Sequence, residues 1–419
     1  MTEISFNTIR WRQFATLALL YILVYFYRVS LAVVSEDVAK DLQLAPEQLG
    51  LLAGVLFFVY ALAQLPLGPL IDRVGPRIII SICGVLTALG GWLFAVADHL
   101  STAMMGRVLI GIGTAAVLMA SFTIFSHWYS KQEFSKISAL MVAAGNLGNL
   151  AGTAPLAVAV GFMGWRTSFL VVSLLQATIT LLVFLKVRDL PPNHHEGNAP
   201  TAHESERPSM TRAWGMLFRD RSFWLLAAVS FSWYGNYMAV QGLWGGPYLI
   251  HLSHMSRESV GGMLMWTSVG FILGSLAIDR IAKRVFKSYT KTLWAGQCLL
   301  LLFMSGFLGW LHHLPVFLLP VFFLCIGLAV SSGIMIYPII RANVPVSIVG
   351  TGLSTLNFFV LLGAACAQQG MGNLLAYAGG YSLEGFRMAF AAPVVCLAVS
   401  LVFFLGMKNC PAEEVREEL

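Results

Sequence analysis

Near the start of this chain, Arg28 is the residue best equipped for chemistry and the hardest to accommodate. It stands in LLYILVYFYRVSLAVV (19–34), beside Tyr25 and Tyr27 and among aliphatic residues. A guanidinium stays charged at any accessible pH and offers donors in a fixed fork, which suits paired binding of a carboxylate or phosphate. In an apolar helix such a cation costs about 2.5–3.5 kcal/mol on insertion scales, so it faces a bundle interior or a wet cavity, or snorkels outward. The competing structural reading is a pair with Glu36 or Asp37. Those acids are eight and nine residues on, about 12–13 Å along a helix axis and too far for an easy local pair.

Other polar side chains fall inside apolar runs and are candidates by type. Tyr60 and Gln64 are one turn apart, and Asn146 and Asn149 share a face by their i, i+3 spacing. Asn236, Tyr237, Gln241 and Trp244 crowd one segment, and Asn357, Gln368 and Gln369 another. Each can hydrogen-bond a ligand, and each can equally serve an interhelical hydrogen bond. Trp244 fits an outer gate or an interfacial aromatic belt. Arg107 is a candidate for a proton relay, with Glu36 and Asp37, or for a buried structural cation. Ser/His/Asp groupings, phosphate-cradling glycine loops and metal-ligand spacings are not found, so the sequence predicts neither an enzyme nor an ATP-driven pump, and no cofactor or metal. The six cysteines read as small core residues.

What positions these residues is the hydrocarbon layer. The chain has 419 residues, 58% hydrophobic and 11% charged, against about 25% charged in a soluble domain. Apolar runs fall near 14–36, 47–71, 77–97, 102–126, 137–161, 166–187, 222–250, 258–279, 290–311, 315–340, 348–377 and 384–407. These twelve are long enough to cross a layer about 30 Å thick as helices, with a break expected in the eleventh at Gly370 or Gly372. Arg10 and Arg12 precede a full-length first run that carries on through Arg28, which is not the pattern of a cleaved signal.

The net charge of +6 is topology rather than a nucleic-acid footprint. With the N-terminus inside, most Lys and Arg residues fall on the cytoplasmic side, leaving Lys40, Arg166, Arg257 and Arg387 opposite. That asymmetry places both termini in the cytoplasm. Residues 188–221 hold PPNHHEGNAPTAHESERP, a flexible linker between bundles 1–187 and 222–419. His194, His195 and His203 lie in it without the cysteines or acids that would complete a metal site. LGPLIDRVGPR (67–77) ends the second run and LGSLAIDRIAKR (273–284) ends the eighth. A repeat of six spans implies two pseudo-symmetric halves, with a ligand held near the midplane between them.

Gly68, Asp72, Arg73, Gly75 and Arg77 follow the pattern G-x-x-x-D-R-x-G-x-R and so resemble the signature of the major facilitator superfamily. The resemblance implies twelve helices in two six-helix bundles, an all-α membrane fold in which these charges lock one conformation. Asp279 and Arg280 repeat the pair without the following glycine. Arg107 to Gly113 resembles the fourth-helix pattern linked to proton movement in relatives, and Gly164-Trp165-Arg166 resembles the turn before the sixth helix. YFYR and GLWGGPYL (242–249) are similar to the sugar-phosphate and organic-anion permease branch, while GNLGNLAGTAP (145–155) lacks the Gly-Pro pair of drug antiporters.

That branch implies a function. Its organophosphate antiporters pair a first-helix Arg with a second on the seventh helix, but residues 222–250 contain no Arg or Lys. One fixed cation suits a monoanion or zwitterion better than a dianion. The expectation is a monomeric secondary transporter of a small carboxylate-bearing solute, working by alternating access with proton-coupled uptake, in the bacterial inner membrane. The alternatives are efflux of an amphipathic drug, metabolite or siderophore, and a non-transporting sensor of the permease fold.

Overall fold

The computed structural model describes residues 3–191, 210–345 and 348–412. The segment 192–209 with its three histidines, and the side chains of residues 3–6, Pro69, Asp72, Lys131, Gln132, Ser135, Met210 and Thr211, lie outside the described residues. Among those described the chain is helical without a strand, save an isolated bridge between Ser288 and Pro411. Ten helices are long and apolar enough to cross a membrane. Two further apolar runs are helical in pieces: 137–161, interrupted at Gly152 and Thr153, and 222–250, interrupted by a π-turn. The result is an all-α membrane protein of two pseudo-symmetric bundles. It divides into compact units 1–44 with 55–200, and 45–54 with 201–419.

The first unit is built from α1 (Glu3–Asp41), the later part of α2 (Pro46–Val74), α3 (Pro76–Ala95), α4 (Leu100–Ala115), α5 (Val117–Trp128), α6 (Lys131–Ala151) and α7 (Ala154–Lys186). Lipid tails are as apolar as leucine, so these helices associate by close packing at small residues rather than by a hydrophobic drive. A Cβ on Gly90 would lie 2.6 Å from the Gly106 carbonyl, and one on Gly106 2.8 Å from the Gly90 carbonyl, which brings α3 and α4 backbone to backbone. On α6, Gly145 and Gly148 do the same against α1. A Cβ there would meet the Tyr21 ring at 2.6 Å and Tyr25 Cβ at 2.9 Å, respectively. Gly75 at φ 96° and Gly164 at φ 77° make the two sharp reversals that other residues resist.

Polar clamps close both ends of this bundle. At one, the Asp189 carboxylate accepts the Arg77 amide at 2.8 Å, and the Arg77 Nε and Nη2 donate to the Phe184 carbonyl at 3.0 and 2.6 Å. Trp128 donates to the Arg188 carbonyl at 2.9 Å, and the Arg188 amide donates to Gln13 at 2.7 Å, so α1, α3 and α5 all grip the end of α7. Nearby, Ser130 caps α6 in a reciprocal box with Glu133, which Arg10 reaches at 2.7 Å. At the other end, Asp41 accepts from Trp165 at 2.9 Å and from Arg166, whose Nη2 also reaches the Ala97 carbonyl at 2.9 Å.

The second unit holds residues 45–54 with α8 (Met210–Arg219), α9 (Arg221–Met238), α10 (Gly245–Ser253), α11 (Arg257–Ile281), α12 (Tyr289–Met304), α13 (Leu319–Ser331), α14 (Ile336–Asn343), α15 (Val349–Tyr377) and α16 (Leu383–Phe404). Part of the predicted flexible linker is therefore ordered. In α8, Ala213 and Leu217 turn inward one helical turn apart, Arg212 and Arg219 are exposed, and Trp214 donates to Thr355 at 3.2 Å. The predicted break at Gly370 or Gly372 is absent, and α15 runs unbroken. Gly372 serves close packing instead: a Cβ there would sit 2.6 Å from the Pro46 carbonyl. Gly235 on α9 likewise meets the Gly363 carbonyl of α15, at 2.9 Å from a built Cβ. This α9–α15 contact matches α1–α6 of the first unit.

Gly148→Ala is expected to force α1 and α6 apart and cost about 1–3 kcal/mol, the usual range for overpacking. It should lower the thermal-melting midpoint in detergent, whereas Gly262→Ala, where nothing lies within 4 Å of a built Cβ, should not; equal shifts would refute the packing argument. The Arg10 guanidinium, and next the Ser130 amide, hold the Glu133 carboxyl at about 2. A carboxyl depressed in the folded state stabilises fully above its unfolded value of about 4.3 and loses that contribution as pH falls toward the folded one. The melting gap between wild type and Glu133→Gln should be small, given the exposed pair. It should also narrow as pH drops below about 4.3, and a gap constant with pH would assign it to the cap alone.

Candidate functional site

In the first unit, Arg28 is 8% exposed near the middle of α1. Its Cζ lies 4.6 Å from the centroid of the Tyr25 ring and 4.8 Å from that of Tyr60, so two aromatic faces hold the guanidinium. The Tyr60 hydroxyl sits within hydrogen-bonding reach of both Arg28 and Gln64. Tyr21 braces Tyr25 edge to face at 5.1 Å, with the hydroxyls 3.4 Å apart. The glycine face of α6 presses on these same rings. Asn146 and Asn149, buried on α6, bond each other at 3.4 Å, and Asn146 also donates to the Val142 carbonyl at 3.1 Å. Four predicted residues, Arg28, Tyr25, Tyr60 and Gln64, thus form one cluster around a cation.

Tyr27 does not join it. One residue along a helix is a turn of about 100°, and the Tyr27 side chain is fully buried on another face, against Phe26 and Phe169 at 5.7 and 6.4 Å. Its carbonyl instead accepts from Arg107 Nη1 at 3.2 Å. Arg107 is 1% exposed, with its Cζ 6.0 Å from the Phe94 centroid. It is tied to the α1 backbone just before Arg28. Glu36 and Asp37 are half-buried further along α1.

The second unit assembles neutral amides. A π-turn, Ala239–Trp244, separates α9 from α10, and such turns concentrate at functional positions because they widen the helix locally. Gln241 on the turn is fully buried and donates to Ser268 at 3.0 Å. The Gln368 side chain on α15 donates to the Met238 carbonyl at 3.3 Å, and the Gln368 main-chain carbonyl accepts from Trp244, 3.0 Å away. Trp244 is fully buried, which removes it from any aromatic belt facing lipid. Asn236 donates to the Ser232 and Pro393 carbonyls, both at 2.8 Å. The amide oxygens of Asn236, Gln241 and Gln368 are all buried without a hydrogen-bond partner among the described residues. Buried acceptors left open cost about 1–3 kcal/mol each, so they invite a donor, either water or a guest.

Tyr237 stacks on Phe271 at 5.7 Å, and Gln369 donates to the Glu47 carbonyl and to Asn373 at 3.3 and 2.8 Å. Asn357 is half-buried eleven residues before Gln368, about 16 Å along α15 and outside this group.

The two Asp-Arg motifs end differently. In the first, Gly68 is half-buried and Arg73 exposed, and Gly75 and Arg77 dock on Asp189, a partner the sequence reading missed; the side chain of Asp72 lies outside the described residues. In the second, Asp279 pairs with Lys283 at 2.6 Å and Arg280 is exposed. With no glycine at hand the helix continues through a second π-turn, Ala282–Phe286. Lys287 then takes the left-handed conformation at φ 50°. Ser288 and Tyr289 then bond the segment around Cys410, which closes this end as Asp189 closes the first.

Comparison with known proteins places this architecture. The sequence pattern of the Major Facilitator Superfamily matches residues 17–368. A probable L-galactonate transporter of Escherichia coli is 25% identical over 62% of this chain and 59% of its own length. A probable hexose phosphate transport protein of Chlamydia pneumoniae is 23% identical over 98% and 93%. A probable sulfoacetate transporter of Cupriavidus necator is 25% identical over 64% of each. Among solved structures, the nucleoside transporter NupG superposes with a TM-score of 0.77 at 12% identity, covering 94% of this chain and 99% of that one. A bacterial homologue of the human lysosomal transporter Spinster, inward-facing and occupied, gives 0.73 at 18% identity over 94% and 95%. The helical build, the Asp-Arg motif and these relatives agree: the chain belongs to the Major Facilitator Superfamily and is a multi-pass membrane transporter, not an enzyme.

Proposed function

We propose that this transporter carries a small carboxylate-bearing anion or zwitterion across the bacterial inner membrane by alternating access, as proton-coupled uptake. The observation that carries the reading is the Arg28 cluster: a buried permanent cation held by Tyr25 and Tyr60, with Gln64 beside it. A guanidinium so placed has both the charge and the donor geometry for a carboxylate. The relatives named for galactonate, hexose phosphate and sulfoacetate all act on anionic solutes, which supports the same class here. The absence of Lys and Arg from residues 222–250 favours a single negative charge over a phosphate ester. The open amide oxygens of Asn236, Gln241 and Gln368 favour a guest that also brings hydroxyl or ammonium donors.

In this reading residues 1–187 and 222–419 are the working bundles and 188–221 the cytoplasmic connection, with both termini in the cytoplasm. Gly68, Asp72, Arg73, Gly75, Arg77, Asp279 and Arg280 control the conformational change. Arg107, Glu36 and Asp37 are the groups assigned to proton movement.

Uptake into proteoliposomes tests the assignment. With a panel of aldonates, sulfonates, amino acids and hexose phosphates, wild type should prefer monoanions or zwitterions by at least about tenfold in KM, or about 1.4 kcal/mol. Arg28→Ala should lower kcat/KM by at least about 30-fold, since removing one partner of a buried charge pair costs about 2–5 kcal/mol; uptake unchanged by that substitution would remove Arg28 from the site. Gln241→Leu and Gln368→Leu should raise KM by about 2- to 10-fold, the equivalent of about 0.5–1.5 kcal/mol per hydrogen bond. Export from loaded vesicles with no uptake of acids would turn the reading toward efflux, and a wild-type rate independent of the pH gradient would end the proton-coupling part.

A further inference from the structure

At the end of the second unit away from α8, three elements meet over a plug of aromatic rings. Tyr248 on α10 packs edge to face on Phe307, Phe386 and Phe390, at 4.9, 5.3 and 5.8 Å between centroids. Phe307 stacks on Phe390 at 4.4 Å, with the ring planes 17° apart. The plug holds the α12–α13 connection against α10 and α16. Tyr248 is fully buried, and its hydroxyl has no hydrogen-bond partner among the described residues. Phenylalanine would pack as well without the cost of burying an open hydroxyl, about 1–3 kcal/mol. The hydroxyl calls for a partner from outside the protein.

Cations gather around it. Arg387 follows Phe386 on α16, and its guanidinium fills the space that a side chain at position 309 would take. A Cβ built on Gly309 would lie 2.6 Å from both Nε and Nη2 of Arg387, and 3.0 Å from its Cζ. Gly309 also has a φ of 137°, a conformation open to glycine and resisted by other residues. Three residues on, the His312 and His313 rings lie 3.9 Å apart between centroids. The Nδ1 of His312 is buried, again without a partner among the described residues. Arg387 acts electrostatically on both the Tyr248 hydroxyl and the His312 imidazole, so these groups share one locality.

No acid offsets them. Arg166, at an end of the first unit, is engaged by Asp41, whereas Arg387 makes no ion pair among the described residues. Glu384, one turn earlier on α16, is exposed and leaves it unpaired. Burial first, then His313 and Arg387, hold the His312 imidazole below its ordinary value. Crowded cations disfavour one another, and an anion set among them removes that penalty.

From this geometry we infer that Arg387, His312, His313 and the Tyr248 hydroxyl form a binding site for a phosphate-type oxyanion, carried by a lipid headgroup or free in solution. Arg387 offers paired donors to two oxygens, and the imidazoles and the phenol donate singly to the others. Donors arriving from three elements suit a tetrahedral oxyanion better than a planar one. The cluster shares no residue with the Arg28 site, so the failure of either assignment leaves the other standing.

Phosphate titration of the purified full-length Arg28→Ala protein, followed by thermal melting, reads this site without the substrate cluster. If that variant melts early, wild type replaces it throughout. Inorganic phosphate should raise the melting midpoint saturably, as a ligand of the native state does. Adding Arg387→Gln should weaken the apparent affinity at least tenfold. Tyr248→Phe keeps the aromatic packing and should weaken it about 2- to 10-fold, the equivalent of one hydrogen bond. It should not lower the midpoint measured without phosphate. Lys40→Gln removes an exposed cation outside the cluster and should change nothing. Native mass spectrometry of delipidated protein, offered phosphatidylglycerol and diacylglycerol with matched chains, separates the two sources. Phosphatidylglycerol retention that falls at least tenfold in Arg387→Gln assigns the lipid headgroup. A phosphate response that depends on Arg387, without such retention, assigns a free anion. Indifference to Arg387→Gln in both measurements, or an equal loss in Lys40→Gln, would overturn the inference.

Discussion

A charge that cannot be titrated away has to be solvated by something, and inside a bilayer that something must be protein. At Arg28 it is the faces of two tyrosines. Each ring presents its negative quadrupole to the guanidinium, an attraction of about 0.5–2 kcal/mol that grows as water is excluded. The rings are held from behind. Gly145 and Gly148 let α6 approach α1 closely enough to press on Tyr21 and Tyr25. The small-residue stripe and the aromatic cage are therefore one construction. Larger residues on α6 would displace Tyr25, and the cation would lose one of its two aromatic faces.

The two units offer opposite chemistry on matching scaffolds. Close helix contacts through glycine recur as α1–α6 and α9–α15, but the first carries a cation and the second neutral amides whose oxygens lack protein donors. Residues 222–250 hold no Lys or Arg, so this part of the second unit adds no fixed charge of its own. Amide oxygens do the complementary work: they accept from hydroxyl or ammonium groups and add no charge.

Much of this was legible in the sequence, and the misses have causes. Arg28, Tyr60 and Gln64 stood out because polar side chains in apolar runs must find one another. Tyr27 stands beside Arg28 in the sequence, but adjacency is a large rotation on a helix, so its ring faces Phe169 instead of the cation. Asp41 and Asp189 carried no local signal: their partners are 124 residues away at Trp165 and 112 away at Arg77, and only the fold brings them together. A break was expected at Gly370 or Gly372 of α15, whereas the helix runs on and Gly372 lets Pro46 approach. In the predicted linker, the spacing of Ala213 and Leu217 against Arg212 and Arg219 was visible at helical period but masked by the polar residues before it.

The π-turn at Ala239–Trp244 holds an extra residue in its loop of backbone. If the bulge migrated by one position along the chain, the helix it passed over would rewind by about 100°. Gln241 would then swing off Ser268, and Trp244 would leave the Gln368 carbonyl, with no backbone hydrogen bond lost overall. A rotary register of that kind lets a buried polar group trade partners while α9 and α10 keep their axes, something a continuous α-helix cannot do.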